Sequence, residues 1–291
     1  MAGNNVLVSG TPRSGTTLTC HLLNKLPETV ALHEPMNVKA FASLASHDQI
    51  ADAIERFCDE QRHAILARGV AISKNAGGKV PDNPIETTRS TDRLRRSVVS
   101  RGEIAVSKPL SPEFSLVIKH NAAFAATLAT LVRRFPVYAI IRNPLATLAS
   151  WSTVAIPVQL GGAPAAERID ARLKERLATF TDDLDRQIFL LGWYHEQYHR
   201  YLPPEAIIPY ESIVASGGKA LSVVRPAAAA LAEPLASQNA STLYDYPNMV
   251  RIGERLLRSE GAQWTSYSKA SVAQLLDEMS RAWSSAGSVP T

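Results

Sequence analysis

Short apolar runs alternate with amphipathic segments along most of this 291-residue chain. The runs have the length of β-strands, and we predict strands at 6–9, 30–33, 115–120, 137–141 and 206–210. Apolar residues at steps of three and four predict helices at 16–25, 48–68, 121–135, 142–150, 169–191 and 270–286, with a short helix and turns in 226–241. This alternation indicates an α/β fold of three layers, a central parallel sheet with helices on both faces.

The periodicity is lost over residues 70–112, where Gly, Pro, Ser, Thr and Arg are frequent. A loop of this length is often a lid or a binding loop. We therefore expect a substrate-binding loop insertion at 70–112 within a single domain that spans residues 1–291. The insertion holds Arg93, Arg95, Arg96 and Arg101, for which a solvated surface is the ordinary interpretation and contact with an acidic acceptor the alternative.

The segment 169–191 has the longest apolar stripe, which predicts one long helix or two nearly continuous ones. A stripe that faces the protein core explains the pattern best. A seam between two copies of the chain would need more heptads than this segment has, although a homodimer stays an open alternative.

Composition narrows the class of protein. The formal net charge of +4 is mild, and the basic residues form no long stripe, so nucleic acid is not an expected partner. Cys20 and Cys58 are too few for a disulfide framework or a metal site, and buried thiols are expected. Because no run of roughly 18 apolar residues occurs, we expect a soluble, cytoplasmic protein without a transmembrane segment.

The first predicted strand leads into a near match to a phosphate-binding P-loop. Gly10 and Gly15 have the Walker A spacing, but Thr16 stands where that motif has lysine. Backbone amides and the helix dipole at such a loop favour an anion. Since the Walker lysine holds β- and γ-phosphates, its absence favours a ligand with a shorter anionic tail, and Arg13 would supply the positive charge.

A second candidate anion site follows the predicted strand 137–141. Arg142 ends that strand, Pro144 suits a first helical turn, and Ser150 lies about two turns, or ~12 Å, further along. Alone, this segment is an ordinary helix start. Because strand ends meet at one edge of a parallel sheet, it predicts, together with the first loop, a second phosphate site in one crevice.

At these residues the chain resembles the sulfotransferases that use 3′-phosphoadenosine 5′-phosphosulfate. Segment 11–17 is similar to their 5′-phosphosulfate loop, and 140–144 with Ser150 is similar to their 3′-phosphate motif. Segment 32–35 resembles the carbohydrate sulfotransferase branch, and 209–213 resembles a further family segment in which Ser212 replaces an acid.

The resemblance implies a P-loop-containing, sulfotransferase-like fold. It implies transfer of a sulfuryl group to a hydroxyl or amine of a carbohydrate, lipid or small-molecule acceptor, with adenosine 3′,5′-bisphosphate (PAP) as product and no required metal. The implied cofactor-binding residues are Arg13, Ser14, Gly15, Thr16, Thr17, Arg142 and Ser150.

The acceptor hydroxyl must also lose a proton. The resemblance implies Glu34 as the general base, which His33 could orient, and His120 as the second candidate. In small-molecule members the comparable strand ends in Lys-Thr-His, whereas here His120 follows Lys119 directly. A shift of one residue reverses the face of a strand side chain. His120 could therefore point away, which leaves Lys119 as a charge on the transferred group or Asn121 in the place of the base.

Two alternatives remain from the sequence. A P-loop nucleotide kinase or hydrolase would have lysine at position 16 and an aspartate after a buried strand, where this chain has Thr16 and Arg142. A non-catalytic nucleotide-binding protein would need no base near the crevice.

Overall fold

The structure is a computed structural model that describes residues 4–286. Its strands are β1 (Asn5–Gly10), β2 (Thr29–His33), β3 (Val70–Asn75), β4 (Ser100–Ala105), β5 (Ser115–Lys119), β6 (Val137–Ile141) and β7 (Ile207–Pro209). Its α-helices are α1 (Thr16–Leu23), α2 (His47–Arg68), α3 (Ala122–Ala126), α4 (Leu128–Leu131), α5 (Pro144–Trp151), α6 (Pro164–Glu167), α7 (Ala171–Ala178), α8 (Asp183–Tyr201), α9 (Tyr210–Ala215), α10 (Tyr246–Leu257), α11 (Gln263–Ser266) and α12 (Lys269–Ala286).

Five strands form a parallel sheet in the order β2-β5-β1-β6-β7. Every residue of β1, β2 and β5 is buried. Successive side chains of a strand point to opposite faces, so both faces of this sheet are covered. The predicted α/β fold with a central parallel sheet is confirmed. β7, which contains Pro209, lies at an edge of the sheet, where proline is tolerated.

The strand register brings the predicted polar residues to one edge of the sheet. His33 of β2 pairs with Lys119 of β5, and Lys119 pairs with Val8 of β1. On the other side of β1, Gly10 pairs with Ile140. The loop after β1 therefore lies between the end of β5 and the end of β6.

From the sequence we expected residues 70–112 to form one continuous loop, and this prediction is wrong. β3 and β4 pair as an antiparallel hairpin, and only 76–99 lies between them. The segment 76–99 is itself fixed by an isolated bridge between Arg95 and Val154. β4 has a single buried residue, Ile104, and so lacks the apolar run that would predict a strand.

Other elements differ from the sequence pattern in detail. The helix expected over 121–135 is broken at Thr127 into α3 and α4. The stripe at 169–191 belongs to two helices, α7 and α8, and it is buried against the core as predicted, through Leu173, Leu177, Leu184, Ile188 and Leu191.

Cys20 and Cys58 are buried free thiols, as expected. Across residues 4–286, no helix has both the length and the apolar character that crossing a membrane would require.

Candidate active site

A cleft of about 710 Å³ opens at the carboxyl edge of the sheet. Its lining comes from the loop after β1, from the ends of β2, β5 and β6, from the β3–β4 hairpin and from residues 234–244. The polar strand ends that the sequence singled out thus meet in one place, as the parallel topology requires.

The loop after β1 is folded against β6 by its own hydrogen bonds. Ser14 Oγ donates to Ile140 O (2.7 Å), and Ser14 N donates to Thr11 O (3.1 Å). Ser14 therefore holds the loop in place, and its side chain does not line the cleft. A Cβ on Gly10 would lie 2.4 Å from Ile140 O, so this close approach requires glycine.

The start of α1 presents unused hydrogen-bond donors to the cleft. Gly15, Thr16 and Thr17 line it, and their amides donate to no backbone acceptor within the described part of the chain. The first helical turn proper is closed by the bond from Thr19 N to Gly15 O (2.9 Å). Free amides at a helix start are suited to bind a phosphate or sulfate oxygen.

Tyr210 lies between this loop and the end of β6. A Cβ atom on Gly15 would lie 2.7 Å from Cδ2 of the Tyr210 ring. The Arg142 guanidinium lies 4.9 Å from the centroid of the same ring. Gly15 also has a left-handed backbone with φ of 88°. Both features require glycine at this position.

We expect Gly15→Ala to lower the free energy of unfolding by about 1–3 kcal/mol, because the new methyl group overlaps Tyr210 and strains the loop. Urea denaturation measures the loss. Gly78→Ala is the matched control, since Gly78 has φ of 78° with nothing within 4 Å of its Cβ position. An equal loss in the two variants would show that backbone strain alone, without the tyrosine contact, is responsible.

Arg13 spans the two predicted anion sites. Its backbone has φ of 71° within the loop, and its side chain crosses to α5, where Nε donates to Ser150 Oγ (3.2 Å). Its Nη2 donates to Asn83 Oδ1 (3.2 Å) in the hairpin segment. Left-handed non-glycine residues persist where the surroundings enforce them, often at functional sites.

Arg142 is 4% exposed and is held by backbone and neutral groups. Nη1 donates to Arg13 O (3.1 Å), Nη2 to Gln238 O (2.6 Å), and Nε to Asn239 Oδ1 (2.7 Å). Asn239 is fixed in turn, because its Nδ2 donates to Glu211 Oε1 (2.8 Å). Sequence reasoning missed the segment that holds Gln238 and Asn239, which has no recognisable motif.

Arg95 is a third guanidinium at this end of the cleft. It is 3% exposed and lines the cleft, and its Nη2 donates to Thr153 Oγ1 (2.7 Å). Its Nε is buried and has no hydrogen-bond partner in the described part of the chain. The interpretation as a solvated surface is wrong for Arg95, although Arg93 and Arg96 are exposed. The sequence does not distinguish Arg95 from Arg93 and Arg96, because Arg95 is buried through the bridge between its backbone and Val154.

These three arginines have no carboxylate partner among residues 4–286. Burial, together with the neighbouring charges of Arg95 and Arg142, lowers the pKa of Arg13 to about 10. Arginine side chains are cationic in proteins at neutral pH. Guanidinium groups that lack a protein counter-charge form a strong site for a dianion such as phosphate.

The opposite end of the cleft holds Glu34 between two lysines. Lys119 Nζ lies 2.8 Å from Oε1, and Lys74 Nζ lies 2.6 Å from Oε2. Burial alone would raise the pKa of Glu34, but the charge of Lys119, followed by contributions from His33 and Lys74, holds it well below its ordinary value of 4.5. Glu34 is an ionised carboxylate with both oxygens occupied.

The two lysines differ in exposure. The Lys119 side chain is 2% exposed, whereas that of Lys74, on β3, is 38% exposed. The sequence pointed to Lys119 but not to Lys74, which lies in the segment without periodicity. Release of Lys74 would free one oxygen of Glu34 to accept a proton.

The two histidines are neutral and lie at the same end. His120 lines the cleft rather than pointing away, and its Nε2 accepts from Met36 N (3.1 Å). Burial lowers the pKa of His120 to about 3 despite the opposing charge of Glu34. Burial, with the charge of Lys119 next in size, lowers the pKa of His33 to about 2, and His33 makes no hydrogen bond to Glu34 that would orient it.

Beside His120 the cleft wall is apolar. It is formed by small and aliphatic residues from α3, α6 and the connection after α5: Ala122, Ala123, Ile156, Pro157, Val158, Ala163, Pro164 and Ala165. Two polar groups interrupt it. Asn121 Oδ1 and the Tyr194 hydroxyl are buried and have no hydrogen-bond partner among the described residues, although both residues line the cleft.

No group of three or more His, Cys, Asp or Glu side chains is arranged to hold a metal ion in the part of the chain that the structure describes.

No protein-family model matches the sequence, and no curated protein is detectably similar to it. Among solved structures, a sulfotransferase from Mycobacterium avium is similar over 96% of this chain and 76% of its own, with 13% sequence identity and a TM-score of 0.33. A likeness this distant is too weak to support an inference about activity. The function must be inferred from the residues of the cleft.

Proposed function

We propose that the protein transfers a sulfuryl group from 3′-phosphoadenosine 5′-phosphosulfate to an acceptor hydroxyl. The observation that carries the proposal is the pairing of two separate anion sites in one cleft. One is the set of free amides at Gly15–Thr17. The other is the guanidinium cluster around Ser150, which no carboxylate of residues 4–286 neutralises. A nucleotide with phosphate groups on both sides of its ribose is complementary to such a pair.

The residues present fit this cofactor. The free loop amides and the hydroxyls of Thr16 and Thr17 would hold its 5′ end, and Arg142 with Ser150 would hold its 3′-phosphate. Arg13 reaches from one site to the other. When bound, the cofactor supplies a sulfuryl group whose transfer depends on in-line positioning and on stabilisation of the leaving oxygen. The loop amides and Arg13 can supply that stabilisation.

Proton removal is assigned to Glu34. In the described structure Lys74 and Lys119 occupy both of its oxygens, so we propose that Lys74 moves aside when the acceptor binds. Lys119, which is buried, stays and keeps the carboxylate ionised. His120 is a weaker candidate because Nε2 already accepts a hydrogen bond from Met36 N.

We expect Lys74→Met to move the acidic limb of the pH profile of kcat/KM to higher pH. Lys74 is one of the charges that lower the pKa of Glu34, so its removal raises that pKa, and the ionised base is lost at a higher pH. Lys79→Met, an exposed lysine of the same hairpin, is the control and should leave the profile unchanged. An unshifted acidic limb in Lys74→Met would exclude Glu34 as the base.

We further propose that the acceptor hydroxyl is carried by a largely apolar skeleton. The wall next to Glu34 and His120 consists of small aliphatic residues, and a sugar would leave most of its hydroxyls without partners there. Asn121 and Tyr194 can bind a single hydroxyl group. Among the carbohydrate, lipid and small-molecule acceptors expected from the sequence, this proposal favours lipids and small molecules with an apolar skeleton over carbohydrates.

Transfer of labelled sulfate tests the proposal. The protein is incubated with 3′-phosphoadenosine 5′-[³⁵S]phosphosulfate and separate pools of phenols and long-chain alcohols, of saccharides and of glycolipids. We expect label in the first pool. A parallel incubation with [γ-³²P]ATP tests the kinase alternative, and label transferred only from ATP would overturn the proposal.

A further inference from the structure

We propose that the β3–β4 hairpin completes the nucleotide site, with Arg95 binding the phosphate on the ribose side of the nucleotide together with Arg13 and Arg142. The inference rests on the proposed function. It assigns a specificity-determining role to a residue outside both segments that resemble phosphate-binding motifs.

The position of Arg95 is fixed by the backbone. Arg95 N donates to Thr153 O (2.9 Å), and Ala155 N donates to Arg95 O (2.9 Å). The hairpin segment is thus bound, as a short parallel bridge, to the chain immediately after α5. Thr153 lies one turn beyond Ser150, and Thr153 Oγ1 donates to Ser150 O (2.9 Å). Arg95 is therefore anchored within one turn of the serine that Arg13 contacts.

The side chain of Arg95 has unused binding capacity. Its only hydrogen bond within residues 4–286 is the one to Thr153 Oγ1, and Nε is buried without a partner. A buried cation that lacks both a carboxylate and a full set of acceptors is unfavourable unless a ligand supplies them. The residue lines the cleft, so a phosphate oxygen can reach it from there.

The electrostatic surroundings favour the same ligand. Burial lowers the pKa of Arg95, and the charges of Arg89 and Arg142 act in the same direction, whereas Tyr244 and Glu86 oppose the shift. Arg13 and Arg95 also oppose each other's charge. Three mutually repelling guanidiniums are stabilised together by one phosphate dianion, and one hydroxyl or carbonyl would not achieve this.

The hairpin also reaches the other end of the cleft, since β3 carries Lys74, which binds Glu34. Nucleotide binding through Arg95 would therefore fix the backbone of the hairpin, so that the Lys74 side chain alone moves when the acceptor binds. We expect protease cleavage within 76–99 to slow when PAP is present.

The test compares two nucleotides by isothermal titration calorimetry. PAP carries the second phosphate, and 5′-AMP does not. We expect Arg95→Ala to weaken PAP binding by about 30-fold or more, the effect of removing one member of a buried charge pair, and to leave the Kd for 5′-AMP unchanged. Arg95→Lys should weaken PAP binding less. Arg96→Ala, which removes an exposed neighbour paired with Asp92, should change neither Kd.

A structural role for Arg95 gives a different result. Thr153→Val removes the hydrogen bond that holds the guanidinium but keeps its charge, so we expect it to retain the preference for PAP. The inference would be overturned if Arg95→Ala weakened the binding of PAP and of 5′-AMP equally and Thr153→Val did the same. It would also be overturned if Arg95→Ala left the Kd for PAP unchanged. If the wild-type protein does not prefer PAP to 5′-AMP, the proposed function itself fails.

Discussion

Arg142→Ala is expected to weaken PAP binding by about 30-fold or more, because truncation of one partner in a buried charge pair costs roughly 2–5 kcal/mol. Arg142 is 4% exposed, and the groups that hold it are carbonyl oxygens, Asn239 and the ring of Tyr210. These contacts fix its direction without neutralising its charge. The guanidinium is therefore available to a phosphate.

Thermal unfolding in the presence of PAP measures the effect. A ligand at 100 times its Kd stabilises the folded state by about 2.7 kcal/mol, and the variant should lose most of that shift at the same PAP concentration. The shift produced by 5′-AMP should stay the same, since 5′-AMP lacks the second phosphate. Arg133→Ala, which removes an exposed arginine that pairs with Asp48 and does not line the cleft, is the control. A full PAP shift in Arg142→Ala would contradict the assignment of this residue.

Glu34→Gln is expected to lower the free energy of unfolding at pH 7 by about 3 kcal/mol. The substitution leaves Lys119, which is 2% exposed, as a buried cation without a counter-charge, and breaking a buried pair on one side is strongly destabilising. Lys74→Met, which removes the partner with 38% exposure, should cost about 1 kcal/mol or less. Urea denaturation of the two variants measures the difference.

The same ion pair predicts a pH dependence of stability. The folded-state pKa of Glu34 lies below its ordinary value of 4.5, so its contribution is fully present above 4.5 and is lost as the pH falls through the lowered pKa. Glu34→Gln should therefore be closest to the wild type in stability at the lowest pH at which both fold. Equal stability of Glu34→Gln and the wild type at pH 7 would show that the Lys119 pair is not stabilising.

This coupling affects how the base is identified. Because Glu34→Gln both removes a carboxylate and leaves Lys119 unpaired, a loss of turnover in that variant has two causes. The Lys74→Met pH profile separates them, since that variant keeps Glu34 and its buried partner.

The parallel sheet and the polar strand ends were predictable from the sequence. Apolar runs such as 137–141 are buried on both faces, and glycine spacing with a hydroxyl-rich helix start identifies the loop after β1. The convergence of Arg142, Lys119 and Glu34 then follows from topology, because the carboxyl ends of parallel strands meet at one edge.

The contributions of the hairpin were not predictable. β4 exposes most of its residues, and Arg95 is buried only because its backbone pairs with Val154 far along the chain. Lys74 lies opposite Glu34 because β3 packs beside β2, a contact that local periodicity does not encode. The low pKa of Glu34 likewise depends on charges from three separate segments.

The measurement that tests the central claim most directly is a calorimetric comparison of PAP, 5′-AMP and ATP with the unmodified protein. The two anion sites predict that PAP binds at least about 100-fold more tightly than 5′-AMP, because the second phosphate meets buried guanidinium groups. They also predict weaker binding of ATP, which has no phosphate on its ribose. Equal affinities for PAP and 5′-AMP, or tighter binding of ATP, would contradict the assignment.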